Sequence, residues 1–122
     1  MKTTGSEYFY RVKRLSVPSG VDAGEMNAAI EKYVLTERMI CDQLKLLFSN
    51  GNWELLKRLL KLTHTMLERI CAVQNIAACE AIMKALGTNQ IELCRRSLPA
   101  FIASLHMLSD EITIQQSSYN PK

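Results

Sequence analysis

One amphipathic segment, residues 52–72, constrains the fold of this chain more than any other feature. At about 100° per residue its apolar side chains fall on a single arc of about 180°. They are Trp53, Leu55, Leu56, Leu59, Leu60, Leu62, Met66, Leu67, Ile70 and Cys71. A helix with so wide an apolar face needs two neighbouring helices, so the sequence predicts an inner helix of a bundle.

Three further stretches show helical periodicity, and the predicted fold class is therefore an all-α four-helix bundle. The first helix is expected at about 23–48, the third at 75–86 and the fourth at about 89–113. The buried seam of the last helix is expected to consist of Phe101, Leu105, Leu108 and Ile112. The apolar positions of the first helix are Met26, Ala29 or Ile30, Tyr33, Val34, Leu35, Ile40, Leu44, Leu47 and Phe48.

Capping and turn residues suggest where these helices begin and end. Asp22 is predicted to cap the first helix, and Gly51 to end it. Gly87 is expected to end the third helix, and Thr88 to cap the fourth. Pro99 lacks a backbone donor and crowds the preceding turn, so it is expected to kink or divide the fourth helix.

The chain of 122 residues has room for one domain, with a short segment at each end. Residues 1–20 are predicted to be an extended basic and aromatic arm, 21–116 the helical bundle and 117–122 a flexible tail. The arm carries a formal charge of +3, which equals that of the whole chain, so the bundle is balanced. A balanced bundle disfavours nucleic-acid binding by its surface.

The arm carries aromatic and basic residues that are candidate contacts for a nucleic acid or another chain. They are Tyr8, Phe9, Tyr10, Arg11, Lys13 and Arg14. Periodicity leaves three arrangements open: the arm packs on its own bundle, pairs with another chain, or stays mobile. Because adjoining aromatics are costly to solvate, we expect self-association as a homodimer, and nucleic-acid binding is the third of the functional hypotheses.

The cysteines indicate a reduced protein without a metal site. Their spacing forms neither a C-x-x-C pair nor a paired Cys/His pattern, and they are Cys41, Cys71, Cys79 and Cys94. We expect no metal ligands and buried reduced thiols, which favours the cytoplasm. The beginning of the sequence lacks the apolar core of a signal peptide, and no apolar stretch is long enough for a membrane span, so no membrane association is predicted.

Local catalytic motifs are absent from the sequence. It contains no glycine-rich phosphate loop, no G-x-S-x-G and no H-E-x-x-H, so we predict no enzyme, no catalytic residues and no cofactor. His106 lies beside the seam of the last helix and is expected to be a packing residue.

The polar side of the second helix contains the main candidate site. His64 lies at the edge of this side, one or two turns after Lys57 and Lys61. Because these lysines could balance the charge of a phosphoryl group, His64 is the phospho-acceptor candidate. Alternatively, His64 forms only a surface ion pair with Glu68, one turn later. The candidate partner-binding residues are Lys57, Lys61, His64, Thr65 and Glu68.

Residues 25–113 resemble a histidine phosphotransfer domain. The resemblance is carried by GNWELLKRLL at 51–60, a polar-face histidine, Ala72-Val73 and a short helix with Cys79. It implies a helical bundle and a bacterial two-component partner. The family motif is His, two residues, Lys, Gly, whereas Leu67 and Glu68 follow His64 at those places; an ungapped match to the entry run puts Lys61 at the histidine position.

The departure from the motif shapes the functional hypothesis. Glu68 in place of glycine would crowd a docking receiver and repel its acidic pocket. We therefore expect a non-enzymatic signalling module that docks a receiver-like or regulatory partner through the polar side of the second helix. The alternative is an active phosphotransfer protein that uses His64.

Residues 60–86 are also similar to small helical biofilm-regulator and connector proteins of bacteria. The similarity is carried by LTHTMLE at 62–68. It implies binding to regulatory partners, and DNA contact has been proposed for some members. Both resemblances therefore lead to bacterial signalling.

Overall fold

A computed structural model of the protein describes the backbone of residues 23–119. This part of the chain folds into four α-helices joined by short turns, and it contains no strand. The helices are α1 (Ala23–Ser49), α2 (Trp53–Arg69), α3 (Val73–Gly87) and α4 (Ile91–Tyr119). The predicted all-α four-helix bundle is confirmed.

The helices form a ring in which each contacts its two neighbours. α1 packs on α2 and α4, and α3 packs on the other sides of α2 and α4. α2 therefore has two neighbouring helices, as the width of its apolar face predicts. Among helices α1–α4, none combines the length and the apolarity that crossing a membrane requires.

The core consists of side chains that recur every three or four residues on each helix. On α1 this series includes Met26, Ile30, Tyr33, Ile40 and Leu44. On α4 it includes the predicted seam, which is buried as expected: Phe101, Leu105, Leu108 and Ile112. Such a repeat averages 3.5 residues and gives each helix a narrow buried stripe, as in coiled-coil-like bundles.

The narrow stripe corrects part of the sequence interpretation. Leu35 on α1, and Leu55 and Leu62 on α2, are exposed although the periodicity placed them inward. The buried residues of α2 are Leu56, Leu60, Thr63 and Leu67. The apolar arc is thus wider than the stripe that packing covers.

The helix ends follow turn chemistry with one correction. Gly51 lies in the turn between α1 and α2, with φ +68°. Cys71 in the α2–α3 turn and Asn89 in the α3–α4 turn also adopt left-handed conformations, with φ 55° and 61°. The Thr88 hydroxyl donates hydrogen bonds to the carbonyls of Lys84 (3.0 Å) and Ala85 (3.3 Å). Thr88 therefore closes α3 instead of capping α4.

Pro99 does not divide the last helix, which runs without a break from Ile91 to Tyr119. The proline lies on the exposed face of α4, so its ring projects away from the core. Water can hydrate the carbonyl that lacks its intrahelical donor, and this makes an interior proline tolerable. α4 also extends three residues into the segment predicted as a tail.

Several buried polar groups form hydrogen bonds between helices, although Oε1 of Glu111 has no hydrogen-bond partner among the described residues. The Tyr33 hydroxyl donates to the Leu105 carbonyl at 2.7 Å, which links α1 to α4. The Asn75 amide donates to the Ser104 hydroxyl at 3.0 Å, which links α3 to α4. Satisfied polar groups of this kind fix how neighbouring helices align.

The four cysteines are free, and three of them are buried. Burial raises the pKa of Cys79 to about 12 and also raises the pKa of Cys94. These two thiols are therefore protonated near neutral pH, and the expected burial holds for three of the four cysteines. Cys71 is partly exposed in the turn between α2 and α3.

The predicted arm at 1–20, with its candidate contacts, lies outside the described residues, as does Asp22. Nucleic-acid binding and self-association through the arm stay predictions.

Candidate functional site

The structure places four of the five predicted partner-binding residues, Lys57, Lys61, His64 and Glu68, on one side of α2, which we call the polar stripe. Thr65 lies at its edge, where it also borders α1. Lys57, Lys61, Thr65 and Glu68 are exposed to solvent. His64 is turned towards α3, and its side chain is 17% exposed. The Thr65 hydroxyl donates to the Lys61 carbonyl at 3.2 Å, so it is already engaged within the helix.

The His64 ring lies between two carboxylates. Its Nε2 is 2.9 Å from Oε2 of Glu80 on α3, and its Nδ1 is 3.6 Å from Oε1 of Glu68. Glu68 was the partner expected for a surface ion pair, whereas Glu80 is 16 positions away and periodicity within α2 gives no sign of it. Two carboxylates beside the ring would repel a phosphoryl group, which weighs against a phosphoryl group at His64.

The opposite flank of α2 forms an apolar surface depression with α1, which we call the α1/α2 groove. It has a volume of about 350 Å³. Its lining comprises Ala29, Lys32, Thr36, Met39, Ile40, Leu59, Leu62, Thr65, Met66 and Arg69. The side chains of Met39 and Leu62 are 60% and 64% exposed, although both are large and apolar. The groove is therefore an apolar surface between two helices that the described residues leave uncovered.

The exposed apolar row continues towards the α1–α2 turn. Leu46 lies seven residues after Met39, and Leu55 lies seven residues before Leu62, so each shares a helix face with its groove residue. Both leucines are exposed. Exposed apolar side chains thus recur over two turns of each helix, with polar residues such as Gln43 and Arg58 between them.

The charge on the groove is one-sided. Lys32 and Arg69 line it, and no carboxylate does. Both cations also line a neighbouring hollow together with Glu25 and Glu68, so they lie at the same end of the groove. Within the described residues, neither cation is within ion-pair distance of a carboxylate.

A second cluster joins α1 to α4 and includes His106. Its Nδ1 contacts Oε2 of Glu37, and the Cys41 thiol donates to the same oxygen at 3.1 Å. Glu37 and Cys41 are buried, whereas the His106 side chain is 43% exposed. Burial and the adjoining carboxylate raise the pKa of Cys41 far above its ordinary value. His106 is therefore part of a polar cluster and not the packing residue that its phase predicted.

Comparison with known proteins gives no further lead. No family model matches the chain, and neither the curated proteins nor the solved structures contain a match.

Proposed function

We propose that this protein is a non-enzymatic regulatory module whose α1/α2 groove binds an amphipathic helix of a partner protein. The observation that carries the proposal is the exposed apolar row of Met39, Leu46, Leu55 and Leu62 beside an open groove. A helix that lays its apolar side into such a groove gains affinity from buried area. Surface charge alone supplies little, which favours the groove over the polar stripe as the source of affinity.

The chemistry of the groove indicates what the partner helix looks like. Apolar residues at i, i+3, i+4 and i+7 would cover Met39 and Leu62. Carboxylates near one end of the partner helix would meet Lys32 and Arg69, which have no carboxylate partner among the described residues. The partner segment is therefore an acidic amphipathic helix.

The charge distribution disfavours the N-terminal arm as the occupant. Arg11, Lys13 and Arg14 would approach Lys32 and Arg69 with like charge. Repulsion of this kind selects against a wrong occupant.

The polar stripe has a supporting role in this proposal. Lys57 and Lys61 are exposed on the same helix as the groove residues, so they can attract an acidic partner and raise its association rate. The resemblance to phosphotransfer domains suggests that the partner is a receiver-like or other regulatory protein.

The proposal is tested with a fluorescein-labelled synthetic peptide of one amphipathic helix, with leucines on one side and glutamates at one end. Fluorescence anisotropy measures its binding to the full-length protein. Leu62→Asp is expected to weaken binding at least about tenfold because it removes an apolar contact and places a carboxylate, which must lose its water, in the apolar interface. Leu93→Asp, which changes an exposed leucine of α4 outside the groove, is the matched control and should bind as the parent does.

The neighbouring substitution Lys61→Glu separates the two surfaces of α2. We expect it to slow association while the affinity falls less than in Leu62→Asp. A larger loss of affinity in Lys61→Glu than in Leu62→Asp would show that the partner binds the polar stripe and not the groove. Equal binding by the parent and Leu62→Asp, with circular dichroism showing both folded, would exclude the groove.

A further inference from the structure

Three different metal-binding donors meet at the contact between α1 and α4. Glu37 and Cys41 are one turn apart on α1, and His106 comes from α4. The ligand atoms of the three residues all lie within 4.8 Å of one another. A carboxylate oxygen, a thiol sulphur and an imidazole nitrogen together form a donor set typical of zinc.

The spacing between the thiol and the carboxylate is close to that of a tetrahedral zinc centre. Zinc bonds of about 2.0–2.3 Å place neighbouring donors roughly 3.3–3.7 Å apart. Cys41 Sγ is already 3.1 Å from Glu37 Oε2. His106 Nδ1 is in contact with that oxygen, so the ring must move outwards to make room for a metal ion. The His106 side chain is partly exposed and has space for this movement.

Burial makes the cluster a built site. Cys41 is fully buried and the Glu37 side chain is 8% exposed, so bulk water competes poorly for either donor. A buried carboxylate carries a desolvation cost, and a bound cation would offset it. The Tyr33 hydroxyl bonds to the carbonyl of Leu105, next to His106, which fixes the backbone that presents the ring.

The exposed side of His106 leaves room for a further ligand. His106 lines a surface hollow of about 590 Å³ together with Lys45, Ile102 and other residues of α1 and α4. Of the three donors only His106 lines this hollow, so a further ligand would reach the metal beside the His106 ring, as at a zinc centre with one exchangeable position.

We propose that Glu37, Cys41 and His106 bind one Zn²⁺ ion between α1 and α4, with water in the fourth position. On binding, the Cys41 S–H bond breaks, the proton goes to solvent, and the thiolate forms the zinc–sulphur bond. This site goes beyond the proposed groove function and does not depend on it. Spacing along the sequence predicts no metal site, because the donors come from two helices that are far apart in the chain.

The test uses full-length protein, treated with a chelator, dialysed and kept reduced by a phosphine. Co²⁺ is titrated as a spectroscopic substitute for Zn²⁺. We expect one equivalent to produce a thiolate-to-cobalt charge-transfer band and visible bands of a four-coordinate ion, both abolished by added Zn²⁺. Absence of the charge-transfer band at millimolar Co²⁺ would overturn the proposal.

Variants identify the ligands and exclude the other thiols. Cys41→Ser should lose the charge-transfer band, and His106→Gln should weaken cobalt binding by more than the roughly 10- to 100-fold that loss of an outer-shell partner costs. Cys79→Ser is the matched control, because Cys79 is buried but has no place in the cluster, and it should retain the full spectrum. A band that survives in Cys41→Ser, or that disappears equally in Cys79→Ser, would contradict the assignment.

Thermal unfolding gives a second readout that does not depend on colour. Zn²⁺ should raise the Tm of the parent and of Cys79→Ser, but not that of Glu37→Gln or His106→Gln. An equal rise in all four proteins would place the metal elsewhere. Peptide binding to the α1/α2 groove in zinc-free protein shows separately whether the proposed function holds.

Discussion

The bundle contains two histidine–glutamate pairs that connect neighbouring helices and differ in what is buried. In the α2–α3 pair, the His64 ring is largely covered and Glu80 is 60% exposed. In the α1–α4 pair, Glu37 is covered and the ring of His106 is the exposed partner. Only the second pair includes a thiol, from Cys41.

The difference shows that the environment of the carboxylate decides what such a pair can do. Water solvates Glu80 whether or not His64 is present, so that pair contributes little to stability or to ligand binding. Glu37 depends on its neighbours for compensation, because water reaches it poorly. A buried carboxylate beside a thiol and an imidazole therefore has the character of a binding site.

Replacing His106 should have the largest effect. His106→Ala removes a partner of the buried Glu37 carboxylate, so we expect a loss of about 1–3 kcal/mol in the free energy of unfolding. Urea denaturation of metal-free protein measures it. A loss below about 0.5 kcal/mol, the range of ordinary surface substitutions, would remove the distinction between the two pairs.

A smaller effect is expected at the other polar link between α1 and α4. Tyr33→Phe removes the hydrogen bond to the Leu105 carbonyl while it keeps the buried ring, so stability should fall by about 1 kcal/mol. The same denaturation experiment applies, with Met39→Ala as an exposed control on the α2 side of α1. An unchanged midpoint in Tyr33→Phe would mean that this hydrogen bond does not stabilise the helix contact.

The smallest effect is expected for His64. In His64→Ala, the lost ion pair with Glu80 should account for no more than about 0.5 kcal/mol of the free energy of unfolding, because Glu80 is exposed and remains solvated. A double-mutant cycle with Glu80→Ala measures the pair itself. A coupling energy above about 1 kcal/mol would show that the α2–α3 pair resembles the α1–α4 pair after all.

Much of the fold was predictable because the spacing of apolar residues within each helix indicates both the helix and its buried side. The seam from Phe101 to Ile112 follows from spacing alone, and so does the need of α2 for two neighbours. The exposure of Leu62 does not follow, because an apolar arc can be wider than the stripe that packing covers. The continuity of α4 through Pro99 does not follow either, because the tolerance of a proline depends on which face of the helix meets water.

In the candidate site, too, groupings within one helix could be predicted from sequence and contacts between helices could not. The polar stripe lies on one helix, so its members can be grouped from sequence. The contact of Glu37 with His106 depends on how α1 and α4 align, and no spacing rule connects positions so far apart. The contact of Glu80 with His64 could not be predicted for the same reason, because it joins α3 to α2.

The ring of helices has a consequence for the order of folding. Its three turns are short, so the contacts of α1 with α2, α2 with α3 and α3 with α4 join segments that are close in sequence. The contact of α1 with α4 joins distant segments, and its formation carries the largest loop-closure entropy among the described helices. Rapid assembly of three hairpins followed by closure of the ring is the sequence of events that this topology favours. Tyr33, Glu37 and His106 then gain their partners at the closing step.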